Sequence, residues 1–323
     1  MRLWPPWHSG CGARSVSAFR SVGVEVVVPA TSANLGPGFD SLGLALAIHD
    51  HLVAMVTEDP GVLVTVEGEG ADVLPTDETH LVAKAMAAAW EAMDLTAPGV
   101  VIRCRNGVPQ GRGLGSSAAA IVAGLLLARG LVEDGDERLA DDELLGLATR
   151  MEGHPDNVAA ALMGNFTTAW IDSSDDTHAS AVTRAVHESI TPMVFVPTDS
   201  MPTSEARMML SDVVDRADAV FNVGRAALLA HALVDDPTML FPATEDRLHQ
   251  DARALAYPAS HRLVATLRES SIPAVISGAG PTVLAFTTDD EERSVASAAA
   301  PPGWQVIAVP VDIQGARVHI RGS

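Results

Sequence analysis

The stretch PQGRGLGSSAAAIVAGLLLA, residues 109–128, places a glycine-rich loop directly in front of an apolar helix. Its three glycines allow positive φ angles and close approach of the backbone. Ser116 or Ser117 can cap the helix, whose first amides then point outward without partners. Because free N–H groups and the helix dipole attract phosphate, the stretch predicts an anion-binding loop. A loop that only turns into a buried helix would contain the same residue types.

Two widespread nucleotide-binding motifs are missing from this loop. No lysine follows Gly115, and no G-x-x-x-x-G-K-[ST] string occurs anywhere in the chain. No G-x-G-x-x-G string occurs either, because Gly111, Gly113 and Gly115 are spaced by two. The loop therefore matches neither the phosphate loop of the P-loop NTPases nor a dinucleotide-binding turn.

Two other segments combine glycine with polar residues. PATSANLGPGFDSLGLAL, residues 29–46, follows an apolar, strand-like run and packs Asn34 and Asp40 into a tight turn. ISGAGPTVLAF, residues 276–286, sets two glycines between β-prone runs. Glycine at such places permits backbone conformations that other residues avoid. Both segments are therefore predicted to be turns between strands.

These three segments resemble the motifs of the GHMP kinase superfamily, which contains galactokinase, homoserine kinase, mevalonate kinase and phosphomevalonate kinase. They follow the order of the family's substrate motif, phosphate loop and C-terminal glycine motif, and they span most of the chain. The form P-x-T-S-A-N-L-G-P-G-F-D resembles the homoserine kinases in particular. The resemblance implies that Asn34 and Asp40 bind the acceptor. It also implies ATP contacts at Pro109, Gly111, Arg112, Gly113, Leu114, Gly115, Ser116, Ser117, Ala118, Gly278 and Gly280.

A fourth segment, MEGHPDNVAAALMGNF at residues 151–166, carries an acid, a histidine, a second acid and an amide within six residues. These residues are Glu152, His154, Asp156 and Asn157. Taken alone, they are compatible with a metal cluster, an acid–base group or a polar helix start. The last alternative is the simplest, since Asp156 directly ahead of an apolar helix can act as its cap.

The string E-G-H-P-D-N-V-A resembles the homoserine kinase form of this region, where the polar residues lie at the acceptor and metal site. By position, Glu152 binds Mg²⁺ together with Ser116 or Ser117, which suits a cation that prefers hard oxygen ligands. Asp156 is a catalytic candidate that can either accept the hydroxyl proton or bind the substrate ammonium. Asn157 is a second catalytic candidate. The resemblance further implies an amino acid pocket lined by His154, Asp156 and Asn157.

PTSEARMML, residues 202–210, places Thr203 and Arg207 four residues apart, on one face of a predicted helix. Homoserine kinases carry a similar T-x-x-x-R. This resemblance implies that both residues bind the acceptor and that Arg207 holds its carboxylate during catalysis. A planar guanidinium suits the task because it binds both oxygens at once. The residues alone also fit a solvated arginine near a helix start.

A second carboxylate-binding arginine is implied within a segment that in the family often ends E-P-Y-R. The corresponding segment here is DRLHQDAR, residues 246–253. Arg253 aligns with the family's arginine, while the three residues before it depart from the pattern. Arg247 is the alternative within the same segment.

Recognition of adenine is expected at the start of the helix after the first hairpin, where the family often has Asn-Leu-Val. This chain has His80-Leu81-Val82 at that place. His80 is therefore predicted to contact the base. A surface histidine in the first turn of a helix would give the same pattern.

Composition indicates an ordinary soluble enzyme of more than one domain. A chain of 323 residues with 47% hydrophobic content can bury a large core and exceeds the usual size of one domain. The net charge of −20 argues against nucleic acid partners, whose phosphates an acidic surface repels. The two cysteines fit a reduced cytoplasm. The longest apolar run, residues 118–128, is too short to span a membrane.

The order of the elements favours an α+β fold, because strands and helices are mixed without the regular βαβ alternation of a parallel sheet. The resemblance implies two such lobes, at residues 23–175 and 176–323, with ATP and acceptor in the cleft between them. Residues 1–22 contain three arginines and no acid, and they lack the apolar centre of a secretory signal. We expect them to be a disordered extension or the result of a start site placed too far upstream.

The family implied by these motifs gives a specific expectation for function. A homoserine kinase transfers the γ-phosphate of ATP to the hydroxyl of L-homoserine, which yields O-phospho-L-homoserine for threonine biosynthesis. Two alternatives stay open: a kinase with a mevalonate or sugar acceptor, and a non-catalytic member of the fold that binds a metabolite. Residues 151–166 and Arg207 favour an amino acid acceptor, and Glu152 with Ser116 favours catalysis. The resemblance also implies ATP and Mg²⁺ as cofactors and a cytoplasmic homodimer.

Overall fold

The computed structural model describes residues 18–172, 175–200 and 203–322, without the side chains of residues 175–177 and 203–204. These residues form two β-sheets covered by helices. The strands in chain order are β1 (Val24–Ala33), β2 (Leu42–Thr57), β3 (Val62–Gly68), β4 (Gly99–Asn106), β5 (Phe166–Asp172), β6 (Asp175–Arg184), β7 (Thr191–Val196), β8 (Ala274–Ile276), β9 (Val283–Thr287), β10 (Gln305–Ala308) and β11 (Arg317–Ile320).

The strand β2 organises the first sheet because its 16 residues are enough to pair with three neighbours. It runs antiparallel to β1, to β5 near its start and to β4 near its end. The sheet order is β11-β1-β2-β4-β3, and β6 continues the sheet beyond β5. Alternate residues of β1, namely Val24, Val26 and Val28, are fully buried, as expected of a strand with one face on a core.

The helices of the first lobe are α1 (Leu81–Ala92), α2 (Ser116–Gly130), α3 (Gly135–Arg138), α4 (Asp141–Glu152) and α5 (Pro155–Met163). They and the first sheet enclose the first hydrophobic core. Residues 121–128 of α2 are all buried. Gly124 lets α1 approach closely, since a Cβ there would lie 2.5 Å from the carbonyl oxygen of Val82. The phosphate-loop helix is therefore the centre of this lobe.

The second sheet has the order β10-β7-β9-β8. Its lobe also contains α6 (Thr203–Arg207), α7 (Arg216–Val234), α8 (Leu240–Ala243), α9 (Pro258–Glu269), α10 (Asp290–Ala298) and 3-10 turns at Pro237–Met239 and Asp251–Arg253. A second core takes Leu44 from the first sheet, Phe286 from the second sheet and Leu233 from α7. The two lobes are thus packed directly on each other, and the predicted α+β class is confirmed.

The division between the lobes differs from the predicted boundary at residues 175 and 176. The strand β6, which begins at Asp175, pairs with β5 in a hairpin and so completes the first sheet. The strand β11 returns to pair with β1. By sheet membership the first lobe therefore extends to Arg184 and takes the last strand of the chain. The sequence predicts strands on both sides of the acidic loop near residue 173 but carries no signal for which sheet they join.

Part of the predicted N-terminal extension is packed on the first lobe. Residues 1–17 lie outside the described residues. Phe19 forms a β-bridge with Val132, and its ring meets the ring of Trp90 edge-on at 5.8 Å between centroids. Arg20 donates to two carbonyl oxygens at and just after the end of α2. Phe19 and Arg20 are therefore packed against the first lobe, whereas we expected the whole of residues 1–22 to be unpacked.

We expect Phe19→Ala to lower the free energy of unfolding by about 1–2 kcal/mol, because it removes a half-buried ring from its contact with Trp90. Urea unfolding followed by circular dichroism measures the change. Leu63→Ala is the matched control, since Leu63 is 56% exposed and its loss should change stability by less than about 0.5 kcal/mol. Equal unfolding midpoints for the two variants would show that the contact of Phe19 contributes nothing.

Among the described helices, α7 is long and apolar enough to cross a membrane by length and composition alone. Three of its residues, Leu229, Ala232 and Leu233, are buried in the second core. Asn222 of the same helix is also buried and donates to the carboxylate of Asp246 at 2.8 Å. These contacts are typical of a helix packed within a globular protein.

Candidate active site

A cavity of about 520 Å³, including its open mouth, lies where loops of the two lobes meet. Its walls come from the β1–β2 turn, the phosphate loop, the α4–α5 junction, α6, the second 3-10 turn and the β8–β9 loop. Of the lining residues, only Phe39 and Ala279 were not predicted as site residues from the sequence. The cavity is lined by Asn34, Phe39, Asp40, Gly111, Gly113, Gly115, Ser116, Ser117, Glu152, His154, Asp156, Asn157, Arg207, Arg253, Gly278 and Ala279.

The phosphate loop packs tightly against neighbouring segments at its glycines. Gly113 and Gly115 have φ angles of 76° and 68°. A Cβ at Gly113 would clash with the carbonyl oxygen of Ser277, and a Cβ at Gly115 would clash with the hydroxyl of Thr31. Ser277 also donates from its hydroxyl to the carbonyl oxygen of Gly113 at 2.6 Å. The loop can therefore approach a ligand with its backbone, as a phosphate cradle requires.

The start of α2 differs from the prediction that Ser116 or Ser117 caps it. Gly115 occupies the N-cap position in the left-handed conformation, and no side chain caps the helix. The physical reason is that glycine adopts this conformation freely, which lets both serines enter the first turn. The first amides of α2 lack partners within the helix and lie at the cavity.

Ser117, in the first turn of α2, forms an oxygen pair with Glu152, the last residue of α4. The hydroxyl of Ser117 donates to Oε1 of Glu152 at 2.6 Å. Burial raises the pKa of Glu152, and the hydrogen bond from Ser117 partly offsets that rise. A carboxylate beside a hydroxyl, next to unpaired helix amides, is a donor set that fits Mg²⁺ bound to phosphate. Of the two predicted serines, Ser117 is the one paired with Glu152, while Ser116 lines the cavity.

The α4–α5 junction brings two further polar groups to the cavity. Nδ1 of His154 lies 2.7 Å from Oδ1 of Asp156, which also accepts the backbone N–H of Asn157 at 2.7 Å. His154 is the N-cap residue of α5, and Asp156 lies inside its first turn, so Asp156 does not cap the helix. Asp40 completes the group, with ligand atoms of Asp40, His154 and Asp156 all within 4.8 Å of one another. This cluster offers negative charge to a cationic group.

The charges around His154 determine its titration. Burial lowers the pKa of His154, but the hydrogen bond and charge of Asp156, together with Glu152 and Asp40, outweigh burial and raise that pKa above its ordinary value. His154 is therefore held by Asp156 as an oriented ring beside the cavity.

Arg207 of α6 faces the same cluster from the second lobe. Its guanidinium binds both carboxylate oxygens of Asp40, at 3.0 and 2.7 Å. This hydrogen bond raises the pKa of Arg207, against a smaller effect of burial. The guanidinium carbon lies 5.6 Å from the centre of the Phe39 ring. The side chain of Thr203, the other predicted residue of α6, lies outside the described residues.

Arg253, rather than Arg247, lies at the cavity. Arg253 is 1% exposed, and its Nε donates to the carbonyl oxygen of Ala206 at 3.0 Å. Burial lowers the pKa of Arg253. The guanidinium of Arg247 instead stacks on the ring of Phe221 at 3.9 Å and pairs with Asp218 at 3.5 Å. Two arginines from different segments, Arg207 and Arg253, thus converge on one side of the cavity.

Two asparagines join the segments around the cavity. The side chain of Asn34 donates to the carbonyl oxygen of Gly278 at 2.9 Å and accepts the backbone N–H of Asp40 at 3.0 Å. The side-chain oxygen of Asn157 accepts the hydroxyl of Thr31 at 2.7 Å. Both polar atoms of the Asn34 amide are therefore engaged within the protein, so its geometry supports positioning of the turn more than direct contact with the acceptor.

Six residues predicted to bind ATP do not line this cavity, and one of them, His80, lines a second cavity. Pro109 is buried, and Leu114 and Ala118 are buried in the second and first hydrophobic cores. Arg112 donates to two carbonyl oxygens just after β7. Gly280 packs against an aromatic ring, where a Cβ would be too close. Arg112 therefore ties the phosphate loop to the second lobe.

His80 lines a second cavity of about 510 Å³, which shares Ser116 and Ser117 with the first. His80 caps α1, and its Nδ1 accepts the backbone N–H of Val82 at 3.2 Å. The proton must then be on Nε2, which is buried and has no hydrogen-bond partner among the described residues. Burial lowers the pKa of His80, so the ring is neutral. It is 4% exposed, which excludes a surface histidine.

Asp50 lines the same second cavity and was not predicted from the sequence. Its Oδ1 accepts the backbone N–H groups of Gly107 and Val108 at 2.8 and 2.9 Å. Burial raises the pKa of Asp50 to about 6. The signal that was available is an acid within β2, a strand whose other inward residues are apolar. Phe39 was missed in the same way, as an aromatic ring within a polar turn.

Two protein-family models match this chain, and each match lies within one of the two lobes. The family described as GHMP kinases N terminal domain matches residues 80–165, which contain the phosphate loop and Glu152. The family described as GHMP kinases C terminal matches residues 224–301, which contain Arg253 and Gly278.

Individual relatives are similar over nearly the whole chain. A homoserine kinase of Clavibacter michiganensis is 48% identical over 302 residues, covering 92% of this chain and 94% of its own length. A homoserine kinase of Streptomyces coelicolor is 50% identical over 301 residues, covering 93% and 96%. These matches include every segment that forms the cavity.

Solved structures agree with this relationship. The crystal structure of homoserine kinase from Cytophaga hutchinsonii superposes with a TM-score of 0.78 at 25% identity, covering 96% of this chain and all of that one. Mevalonate diphosphate decarboxylase from Staphylococcus aureus shares the fold, with a TM-score of 0.67 at 15% identity. The identity and coverage of the relatives confirm the predicted family, and the chain belongs to the homoserine kinases of the GHMP kinase superfamily.

Proposed function

We propose that this chain transfers the γ-phosphoryl group of ATP to the side-chain hydroxyl of L-homoserine, which gives ADP and O-phospho-L-homoserine for threonine biosynthesis. One observation carries the proposal. The same cavity is lined by two groups of residues: an anion cradle with the Ser117–Glu152 oxygen pair, called here the phosphate wall, and two arginines with the acidic cluster of Asp40, His154 and Asp156, called here the zwitterion wall. The first wall suits a nucleotide phosphate, and the second suits a zwitterion.

The phosphate wall binds ATP through backbone amides of the phosphate loop and the first turn of α2. Ser117 and Glu152 are the ligands that we propose for Mg²⁺, with Ser116 beside them. When bound, Mg²⁺ neutralises phosphate charge. The unpaired amides would hold the phosphates of bound ATP and position the γ-phosphoryl group for transfer.

The second cavity suits the adenine base. Nε2 of His80 offers a donor, and the carboxylate of Asp50 offers an acceptor, within walls that include Leu52, Leu74 and Val82. A donor and an acceptor on apolar walls match the edge of adenine, which presents both a ring nitrogen and an amino group.

We expect His80→Ala to raise the KM for ATP about five- to tenfold, because one buried hydrogen bond to the base is lost. The KM for homoserine should stay within about twofold, since that ligand does not reach the second cavity. Steady-state kinetics with each substrate varied in turn measure both values. His80→Asn is the matched variant, because its short amide side chain can still cap α1 while the donor to the base is lost. An unchanged KM for ATP in both variants would remove His80 from the base site.

The zwitterion wall binds the acceptor by charge. Arg207 and Arg253 bind the carboxylate, and Thr203 stays a further acceptor-binding residue predicted from the sequence. Asp40, His154 and Asp156 surround the ammonium group. Arg207 must exchange Asp40 for the substrate carboxylate on binding, which leaves Asp40 free for the ammonium.

Catalysis then rests on positioning and charge neutralisation, as phosphoryl transfer generally allows. The hydroxyl oxygen attacks the γ-phosphorus, the bond between that phosphorus and the β,γ-bridging oxygen breaks, and ADP leaves. The hydroxyl proton passes to Asp156 or directly to water. The only lysine of the chain, Lys84, lies in α1, so no lysine–aspartate pair of the mevalonate kinase kind is present. Asp156 and Asn157 are the residues that we assign to orienting the hydroxyl, and Arg207 contributes to catalysis by holding the carboxylate.

Phosphorus NMR of the reaction mixture tests the proposal. With ATP, Mg²⁺ and L-homoserine, we expect a phosphomonoester signal to grow as the γ-phosphate signal of ATP falls. The absence of a phosphomonoester, with free phosphate instead, would refute transfer to the amino acid. The site also fits a mevalonate or sugar acceptor less well, because neither presents an ammonium group to the acidic cluster. A non-catalytic role is disfavoured by the Ser117–Glu152 pair. The cytoplasmic location, the homodimer and the absence of nucleic acid or membrane partners stay predictions.

A further inference from the structure

His249 lies between two segments of the acceptor site. It is 1% exposed, and its Nε2 lies 2.8 Å from the carbonyl oxygen of Gly36 in the β1–β2 turn. Its Nδ1 lies 3.2 Å from Nη1 of Arg253. The ring thus bridges the turn that carries Phe39 and Asp40 to the arginine that lines the cavity.

The partners of the ring determine where its proton lies. A carbonyl oxygen only accepts, so Nε2 must donate to Gly36. A guanidinium only donates, so Nδ1 must accept from Arg253. Both contacts are satisfied only by the neutral ring with its proton on Nε2. Burial lowers the pKa of His249, in agreement with this form.

The position of the ring is itself set by a tight turn. The carboxylate of Asp246 accepts the backbone N–H groups of Leu248, His249 and Gln250 at 2.8 to 3.1 Å. The ring of Phe39 packs on the His249 ring at 5.2 Å between centroids. His249 therefore has little freedom to move away from Arg253.

The guanidinium of Arg253 has fixed contacts on two of its nitrogens. Nε donates to the carbonyl oxygen of Ala206, directly before Arg207, and Nη1 donates to His249. The Nη2 edge is the remaining part of a guanidinium that can face the cavity. Without an acceptor at Nδ1 of His249, the Nε contact to Ala206 would be the one hydrogen bond of these two that still orients the guanidinium, and its orientation would be less restricted.

We propose that His249 is a positioning residue for the acceptor site: its Nδ1 holds the guanidinium of Arg253 in the orientation that binds the substrate carboxylate, and its Nε2 locks that arrangement to the β1–β2 turn. The inference rests on the proposed function, because it takes Arg253 as a ligand of the homoserine carboxylate. It assigns the specificity for a carboxylate to a residue that does not itself contact the substrate.

Two conservative variants separate the two contacts of the ring. In His249→Asn the amide oxygen lies near the position of Nδ1 and keeps an acceptor for Arg253. In His249→Gln the amide nitrogen lies near the position of Nε2 and keeps the donor to Gly36 but loses the acceptor. A purely structural role would make both variants behave alike.

Steady-state kinetics of the full chain with ATP and L-homoserine give the test. We expect His249→Gln to raise the KM for homoserine at least about tenfold, with the KM for ATP within about twofold, and His249→Asn to show a rise of at most about threefold. When Arg253→Ala is already present, His249→Gln should add less than about twofold, because its effect passes through Arg253. His49→Gln is the matched control, since His49 lies in β2 of the first sheet, away from His249, and pairs there with Asp312.

The outcomes that overturn the proposal are distinct from failure of the proposed function. Equal effects of Asn and Gln, no effect of Gln, or a full additional effect in the Arg253→Ala background would each refute it. If Arg253→Ala alone leaves the KM for homoserine unchanged, the carboxylate role of Arg253 fails, and the inference fails with it. No turnover of homoserine by the unsubstituted chain would refute the proposed function itself. If His249→Gln does not fold, His249→Leu, which lacks both the acceptor and the donor, is used in the comparison with Arg253→Ala. An effect that persists in full in the Arg253→Ala background then refutes the proposal, and an effect that disappears there supports it.

Discussion

Glu152→Gln is expected to lower kcat at least about 100-fold at millimolar Mg²⁺, because it removes the carboxylate that we assign to the metal. Glu152 accepts the hydroxyl of Ser117 at 2.6 Å at the start of α2. Glutamine has nearly the same shape but carries no charge, so the hydrogen bond to Ser117 can persist while the attraction for a divalent cation is lost. The effect should therefore fall on Mg²⁺ dependence.

Titration of the reaction rate with Mg²⁺ measures this effect directly. We expect half-saturation of Glu152→Gln to require at least about tenfold more Mg²⁺. Because burial raises the pKa of Glu152, its charge costs folding free energy at neutral pH, so the neutral variant should melt no lower than the unsubstituted chain. Glu91→Gln on the exposed side of α1 is the control. Unchanged Mg²⁺ dependence in Glu152→Gln would assign the metal to other residues.

Arg207→Ala is expected to raise the KM for homoserine about 100-fold, with the KM for ATP within about threefold. In the structure the guanidinium already makes a bidentate contact with a carboxylate, since it binds both oxygens of Asp40. Charge-assisted bonds of this kind contribute about 1.5–3 kcal/mol each, and about 1.4 kcal/mol corresponds to tenfold in affinity. Binding of the substrate breaks the contact of Arg207 with Asp40, and this cost offsets part of the free energy gained from the substrate carboxylate. The expected rise in the KM for homoserine is therefore about 100-fold.

Steady-state kinetics of three variants test this prediction. Arg207→Lys should lie between the unsubstituted chain and Arg207→Ala, because an ammonium keeps the charge but not the two-fold geometry. Arg225→Ala is the control, since Arg225 pairs with Glu245 and does not line the cavity. Equal rises of the KM for homoserine and the KM for ATP in Arg207→Ala would show that Arg207 is not part of the zwitterion wall.

Local sequence was sufficient to predict those parts of the site that lie within one segment. Glu152, His154 and Asp156 are close in sequence, and the helices α4 and α5 carry them to one junction. The glycines at 113 and 115 were predicted to allow close backbone approach, and both have positive φ. The helix cap was wrong because Gly115 adopts the left-handed conformation, which displaces the serines into the first turn.

Contacts between distant segments could not be predicted in the same way. His249 and Gly36 are 213 residues apart, and nothing in the pattern around either residue specifies the other. The same is true of Asp50, whose partners Gly107 and Val108 follow β4. The sequence also does not encode locally which sheet β6 joins, since that depends on its pairing with β5 in a hairpin. Family resemblance supplied Arg253, which lacks a local signal of its own.

The acceptor is the central claim, and release of ADP by the purified chain with ATP and Mg²⁺ tests it most directly. The panel contains L-homoserine, L-serine, mevalonate and galactose, each at the same concentration. We predict release with L-homoserine at least about 100-fold faster than with the others, because that acceptor alone carries its hydroxyl at the right distance from both charged groups. Faster release with mevalonate or galactose, or release that does not depend on any acceptor, would contradict the account.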